Sequence, residues 1–208
     1  MNCGWCLFLV LTTSARVCDS NSPFGQIPAN EKEKVAAVDK LLRESSILYA
    51  AYRTEWPPYY GDRTKCWTST KQSCDKYSCT HLLSYDIIGK IKNGQHVSGW
   101  EERRTVIKYH VGYNRDQAVV SSEIPDKEQL RLGLIGIFVV IHATNNCFVL
   151  CVRVKKGEKA QCALWVLPEI LNEEMNDCYM PFIAQCMKEG ARVYVYNKSE
   201  CKNKDSSG

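Results

Sequence analysis

Missing from this 208-residue sequence is any apolar run long enough to cross a bilayer. A spanning helix needs about 20 apolar residues. The best runs are residues 5–11 and 132–141, and the second carries Gly133 and Gly136. No charge of one sign dominates. The formal net charge is +4 without a basic stripe, which is no nucleic-acid footprint and favours anionic partners only slightly. There is no P-loop, no Cys₂His₂ finger, no Gly-x-Ser-x-Gly and no His-Glu-x-x-His. Histidine is scarce, with four residues, and His81, His96, His110 and His142 show no nucleophile–base pattern. Catalysis, a metal centre, a cofactor, a membrane span and a nucleic-acid partner are therefore not expected.

What is present begins with Trp5-Cys6-Leu7-Phe8-Leu9-Val10-Leu11, followed by Thr12-Thr13-Ser14-Ala15. This short apolar core before small residues matches a secretory signal, although its positive n-region is missing. Residues 1–18 are read as the signal, with cleavage between 15 and 18, and the mature protein as soluble and secreted. Export decides how the 12 cysteines are read. Cys3 and Cys6 leave with the signal, and Cys18 stands at its edge. The others form disulfides in an oxidising compartment. A metal reading is weak, because Cys74-x₄-Cys79 and Cys147-x₃-Cys151 fit no usual zinc spacing.

Residues 19–30 are rich in Ser, Pro and Asn and read as a leader loop. Asn30 with Glu33 resembles a capping box, and Val35, Val38, Leu41 and Leu42 recur at helical spacing, so 31–43 is an amphipathic helix that plugs one end of the fold. Strands follow at 47–52, 64–70, 82–91, 105–113, 117–124, 132–142, 147–154 and 162–167. Trp56-Pro57-Pro58 cannot sit in a ladder and marks a loop. Residues 74–79 form a turn, and Lys155-Lys156-Gly157 another. Strands at such short, even spacing argue for a sandwich or a closed barrel. A second helix covers 181–189, with Pro181 in its first turn and Gly190 just past its end. A short strand, 193–196, precedes a polar tail at 202–208 that is read as disordered. With no internal repeat and no linker, residues 19–201 are one domain, expected to be monomeric. Asn197-Lys198-Ser199 is an acceptor sequon for glycosylation.

The last third has a recognisable order: Asn146-Cys147, a strand, a turn, Cys162-Ala163-Leu164-Trp165-Val166, Asp177-Cys178, a helix, Val193-Tyr194-Val195-Tyr196 and Ser199-Glu200-Cys201. Together with the helix at 31–43, the strand at 47–52 and Cys66, it resembles the tick salivary lipocalins of the histamine-binding type, from about Asn30 to Cys201. The resemblance implies a mainly β fold: an eight-stranded antiparallel lipocalin barrel with a closed end, an open mouth, an N-terminal helix and a C-terminal helix packed outside. It also implies the disulfides Cys66–Cys201 and Cys147–Cys178. The first closes a loop of about 135 residues, which stabilises by about 4–5 kcal/mol in the chain-entropy model. Cys74, Cys79, Cys151, Cys162 and Cys186 lie outside these pairs. Cys151 and Cys162 flank one hairpin and are the candidates to face each other. Five is odd, so one thiol is left over or Cys18 is retained as a sixth.

In that family the Trp of the Leu-Trp dipeptide faces the cavity, which puts Trp165 and Ala163 inside together. Amine-binding members carry a Glu before the Leu-Trp and an Asp after the cysteine that corresponds to Cys147. Here those positions hold Ala163 and Phe148. Phe138 and Pro57 stand at two further acidic positions. A buried ammonium without counter-charges costs several kcal/mol. The expected cavity is therefore apolar and aromatic, lined by Trp165, Ala163, Tyr109, Phe138, Trp67 and Tyr52. Arg53 and Arg104, or Lys108, are the candidates to meet a carboxylate at the mouth, and as basic residues they otherwise stand in solvent. The resemblance implies a ligand-sequestering protein that acts against host inflammation during blood feeding. A lipid mediator such as a leukotriene, fatty acid or sterol is preferred to an amine such as histamine. The other reading makes the barrel a scaffold whose loops 56–61 and 71–80 bind a host complement or clotting factor.

Overall fold

A computed structural model describes residues 27–54, 64–88, 91–92, 95–96, 99–124, 135–152, 161–173, 177–187 and 192–201. The signal segment, the loop carrying Pro57, the basic turn at 155–159 and the tail at 202–208 lie outside the described residues. The chain runs through α1 (Ala29–Glu44), β1 (Ile47–Arg53), β2 (Thr64–Cys74), β3 (Cys79–Ile88), β4 (Ile91–Lys92), β5 (Gln95–His96), β6 (Trp100–Asn114), β7 (Gln117–Glu123), β8 (Gly136–Ala143), β9 (Cys147–Val152) and β10 (Gln161–Val166). A 3₁₀ turn (Pro168–Ile170), α2 (Tyr179–Cys186) and β11 (Tyr194–Val195) complete it.

The sheet order is β10-β9-β8-β7-β6-β3-β2-β1-β11, and β10 also pairs with β1. Eight antiparallel strands thus close into a barrel, with β4 and β5 as a separate small hairpin. Each strand sends alternate side chains to opposite faces, so two apolar clusters form. The inner one gathers Leu48, Leu83, Ile107, Val120, Phe138, Val140, Leu150 and Trp165. Val38, Leu41 and Leu42 of α1 join it, so the helix stops one end of the barrel. The outer cluster packs Tyr49, Val149, Leu164 and Val166 beneath Leu171 and Phe182, which sets α2 against the outside wall.

Local chemistry moves several expected boundaries. α1 starts at Ala29 rather than 31, and no side chain caps it. Asn30 lies inside its first turn, so the expected capping box does not form. Glu31 instead reaches the barrel, its Oε2 accepting from the Ala118 N–H at 2.8 Å and its Oε1 from Lys34 Nζ at 2.7 Å. β2 runs on to Cys74 and β3 begins at Cys79, because these two cysteines are register partners joined by a disulfide across the turn.

Three more disulfides join Cys66 to Cys201, Cys147 to Cys178 and Cys162 to Cys186. The expected meeting of Cys151 with Cys162 is corrected by the last of these. The two are register partners with sulfurs 3.0 Å apart. However, both point outward, where α2 lies across the hairpin and brings Cys186 to Cys162.

The barrel wall is uneven between β1 and β2. Only Ile47, Leu48 and Tyr49 pair with β2. Beyond them β2 is bulged between Lys65 and Thr68, and Cys66 takes a left-handed backbone with φ of 57°. β11 fills the vacated edge of β1, pairing Val195 with Tyr52 and Tyr194 with Arg53. The Cys66–Cys201 bond ties this C-terminal strap to the departing strand.

Candidate ligand-binding site

The described residues enclose two zones. At the plugged end the space is filled: Leu42, Leu48, Ser69, Tyr109, Val120, Phe148, Leu150 and Trp165 leave a void of about 10 Å³, too small for any organic ligand. A polar thread crosses this zone. His81 is fully buried, and its Nε2–H donates to the Leu42 carbonyl at 3.0 Å, since a carbonyl can only accept. Its Nδ1 therefore accepts from the Ser69 hydroxyl, also at 3.0 Å. The thread continues to the Tyr109 hydroxyl, which burial pushes up to about 12. Burial, ahead of its hydrogen bonds, holds His81 below its ordinary value and so neutral. This Ser–His contact was not expected, because the two residues lie 12 apart on adjacent strands. Through its Nε2–H, His81 satisfies one of the carbonyls that the end of α1 leaves open.

Toward the other end lies the second zone, a pocket of about 330 Å³. It occupies the split between β1 and β2. Ala50, Arg53 and Trp67 form its inner wall, Lys65 and Trp100 one rim, and Tyr194, Tyr196 and Glu200 of the strap the other. Arg53 is 2% exposed and is the only charged residue among the buried described ones apart from the neutral His81. Its guanidinium donates to the Thr64 carbonyl of β2, bridging the split. It also lies 4.3 Å from the Tyr194 ring centroid and 5.9 Å from that of Trp67, within the range of cation–π attraction. Trp67 in turn stacks on Tyr85 at 4.2 Å. At the rim, Lys65 Nζ sits 4.4 Å from the Trp100 ring and 3.2 Å from Glu200.

Five of the six residues expected to line the cavity belong to the inner cluster: Trp165, Ala163, Tyr109, Phe138 and Trp67. Trp165, Tyr109 and Phe148 fill the plugged end, while Trp67 reaches the pocket. Tyr52 does not face the interior. The register of β1 against β10 shifts between Ala50 and Tyr52, which reverses the alternation and turns Tyr52 outward onto Tyr179 and Phe182. The same shift turns Arg53 inward, which corrects the expectation that it stands in solvent. Arg104 is exposed and bonded to Glu102 at 3.1 Å. Lys108 lies at the plugged end, 3.6 Å from Asp75, and so is not at the mouth. Asn197 is exposed; its Oδ1 accepts from the Ser199 N–H and hydroxyl.

Phe138, Phe148 and Ala163, where the resemblance implies acids in amine-binding members, all belong to the inner cluster, and no Asp or Glu is buried among the described residues. Ala163 is the register partner of Arg53. Directly opposed residues of this kind have Cβ atoms about 5 Å apart. The position that would supply a counter-ion for an amine therefore lies beside a buried cation.

Sequence comparison gives the chain a family. Residues 28–203 match the model of the tick histamine binding protein family. No curated protein matches the chain. Among solved structures it is similar to Japanin from Rhipicephalus appendiculatus bound to cholesterol, at a TM-score of 0.57 and 13% identity over 75% of this chain and 95% of that one. That likeness supports the barrel fold alone. With the family match spanning the barrel, both helices and the strap, the chain belongs to the tick histamine binding protein family.

Proposed function

We propose that this protein sequesters a small host mediator, and that the mediator is an apolar molecule with an acidic group rather than an amine. One observation carries the choice: among the described residues the charge buried in the wall is the cation Arg53, and no Asp or Glu is buried. A buried ammonium without a counter-ion is held weakly, whereas a guanidinium offers several N–H donors to a carboxylate in fork geometry. Thr105 adds, on the inner face of β6, a buried hydroxyl without a hydrogen-bond partner among the described residues. Such a protein acts by stoichiometry. In this reading it is exported, carries a glycan at Asn197 and lowers the free mediator concentration where the tick feeds. Isothermal titration with histamine, serotonin, a leukotriene and long-chain fatty acids tests it. One-to-one binding of an acid is expected, and tight one-to-one binding of histamine overturns the preference.

A second reading has its own observation. The turn between β2 and β3 is clamped by Cys74–Cys79 and by Asp75, whose Oδ1 accepts from the backbone N–H of Tyr77 and of Ser78. Hydrogen bonds from this turn hold the Asp75 carboxyl down at about 2. The turn presents Tyr77, 73% exposed, as a rigid aromatic of the kind that anchors protein interfaces. A host plasma protein retained by the wild type and lost with Tyr77→Ala supports this reading. No retained protein removes it.

A further inference from the structure

The geometry points to the split between β1 and β2, rather than the filled interior at the plugged end, as the place where the acidic ligand binds, with the C-terminal strap forming part of the site. This inference rests on the sequestration reading and specifies its location and ligand class. The barrel interior at the plugged end keeps a void of only about 10 Å³. The pocket in the split offers about 330 Å³, near the lower end of the 300–1,000 Å³ of typical small-molecule sites. That size suits a compact acid or a medium-length chain better than a bulky lipid.

The chemistry of the pocket is graded. At its base stands the buried Arg53, between the rings of Trp67 and Tyr194. At its rim stands Lys65, held over Trp100 and paired with Glu200 of the strap. Among the described lining residues Arg53 and Lys65 are cations and Glu200 a carboxylate, a balance that suits an anion. Ala50, Trp67, Trp100 and Tyr194 supply apolar walls for its carbon skeleton. Ala50 and Trp67 also belong to the inner cluster, so the pocket abuts the packed barrel interior from the side. Tyr194 and Val195 pair with Arg53 and Tyr52 of β1, the Tyr196 N–H donates to the Ala51 carbonyl at 2.9 Å, and Cys201 anchors the strap at its far end. The strap thereby forms one wall of the pocket, tethered at Cys201.

The test uses disulfide-intact protein and three probes that share a ten-carbon chain: decanoate, decanol and decylamine. Decanoate is expected to bind at least about tenfold more tightly than the other two, because only it gains a charge-assisted bond to Arg53. Arg53→Gln is expected to erase that preference. Since Arg53 is buried, two variants at partly exposed rim residues keep the test independent of folding. Tyr194→Ala and Lys65→Gln are each expected to weaken decanoate by about three- to tenfold. Unchanged decanoate affinity in both rim variants overturns the location. Equal binding of decanoate and decanol by the wild type overturns the acidic class and leaves sequestration standing. Failure of all three probes, and of the mediators named above, removes the sequestration reading and this inference with it.

Discussion

At the scale of single residues, Ala163 and His81 carry the most consequence. Ala163 was recognisable in the sequence as a departure from the amine-binding pattern. Its neighbour Arg53 was not, because a one-residue register shift on β1 decides which of Tyr52 and Arg53 faces inward, and such a shift leaves no mark in composition. Ala163→Glu sets a carboxylate opposite Arg53. We expect it to weaken binding of a fatty acid at least about tenfold by occupying the guanidinium, as a close ion pair does, and to confer no histamine binding, since Phe138 and Phe148 stay apolar. Titration of the variant with both ligands checks this. His81 gives the fold a pH dependence of definite sign. Burial keeps its folded pKa below the ordinary 6.5, so the unfolded chain binds more protons below that pH, and stability falls as pH drops through 6.5 and levels off once the folded imidazole also protonates. The slope from one such group does not exceed about 1.4 kcal/mol per pH unit. His142, lowered mainly by burial, acts in the same direction. Glu31 acts further down. Burial raises its carboxyl, but the Ala118 N–H and Lys34 bring the net value below 4.5, so its contribution is lost as pH falls through that range. Urea midpoints at pH 7.5 and 5.5 should differ in the wild type and differ less in His81→Phe. The variant should also lose about 1–3 kcal/mol, by stranding the Leu42 carbonyl and the Ser69 hydroxyl.

At the scale of elements, most of the order was legible and most of the pairing across it was not. Alternating apolar residues and turn signals marked the eight long strands, and the spacing of Val35, Val38, Leu41 and Leu42 marked α1. All three of its buried residues, Val38, Leu41 and Leu42, come from that pattern. The partner of Cys162 escaped, because sequence proximity favoured Cys151 on the same hairpin while the choice was made by how α2 lies over the wall. The strap escaped in the same way. Residues 193–196 read as a strand, yet nothing local shows that β11 takes the edge that β2 gives up. Removing its anchor with Cys66→Ser and Cys201→Ser together should cost about 2–5 kcal/mol, the range for loss of a native disulfide that closes a long loop. It should also expose the strap: limited proteolysis is expected to cut between residues 192 and 201 before it cuts the barrel, and cleavage elsewhere first would argue that β11 is held without its tether.

At the scale of the whole molecule, the strand order shapes how the fold can assemble. From β2 to β10, apart from the small β4–β5 hairpin, each barrel strand pairs with the one before it in the chain, so most of the wall consists of contacts that close short loops. The exception is β1, which meets β2 beside it but also β10 and β11 from the far end of the chain. A refolding experiment on the reduced chain should therefore show an early rise in strand signal and a slower phase for burial of Trp165, whose register partner Ala50 lies on β1. With the disulfides left intact that slower phase should shorten, because Cys66–Cys201 already holds the distant ends together. Identical time courses with and without the disulfides would show that the seam closes unaided. During synthesis, β1 emerges from the ribosome long before either of its distant partners exists. The first strand of the barrel thus waits with an unfinished edge until β10 and β11 have followed it, and until then that edge is open to pairing with another chain.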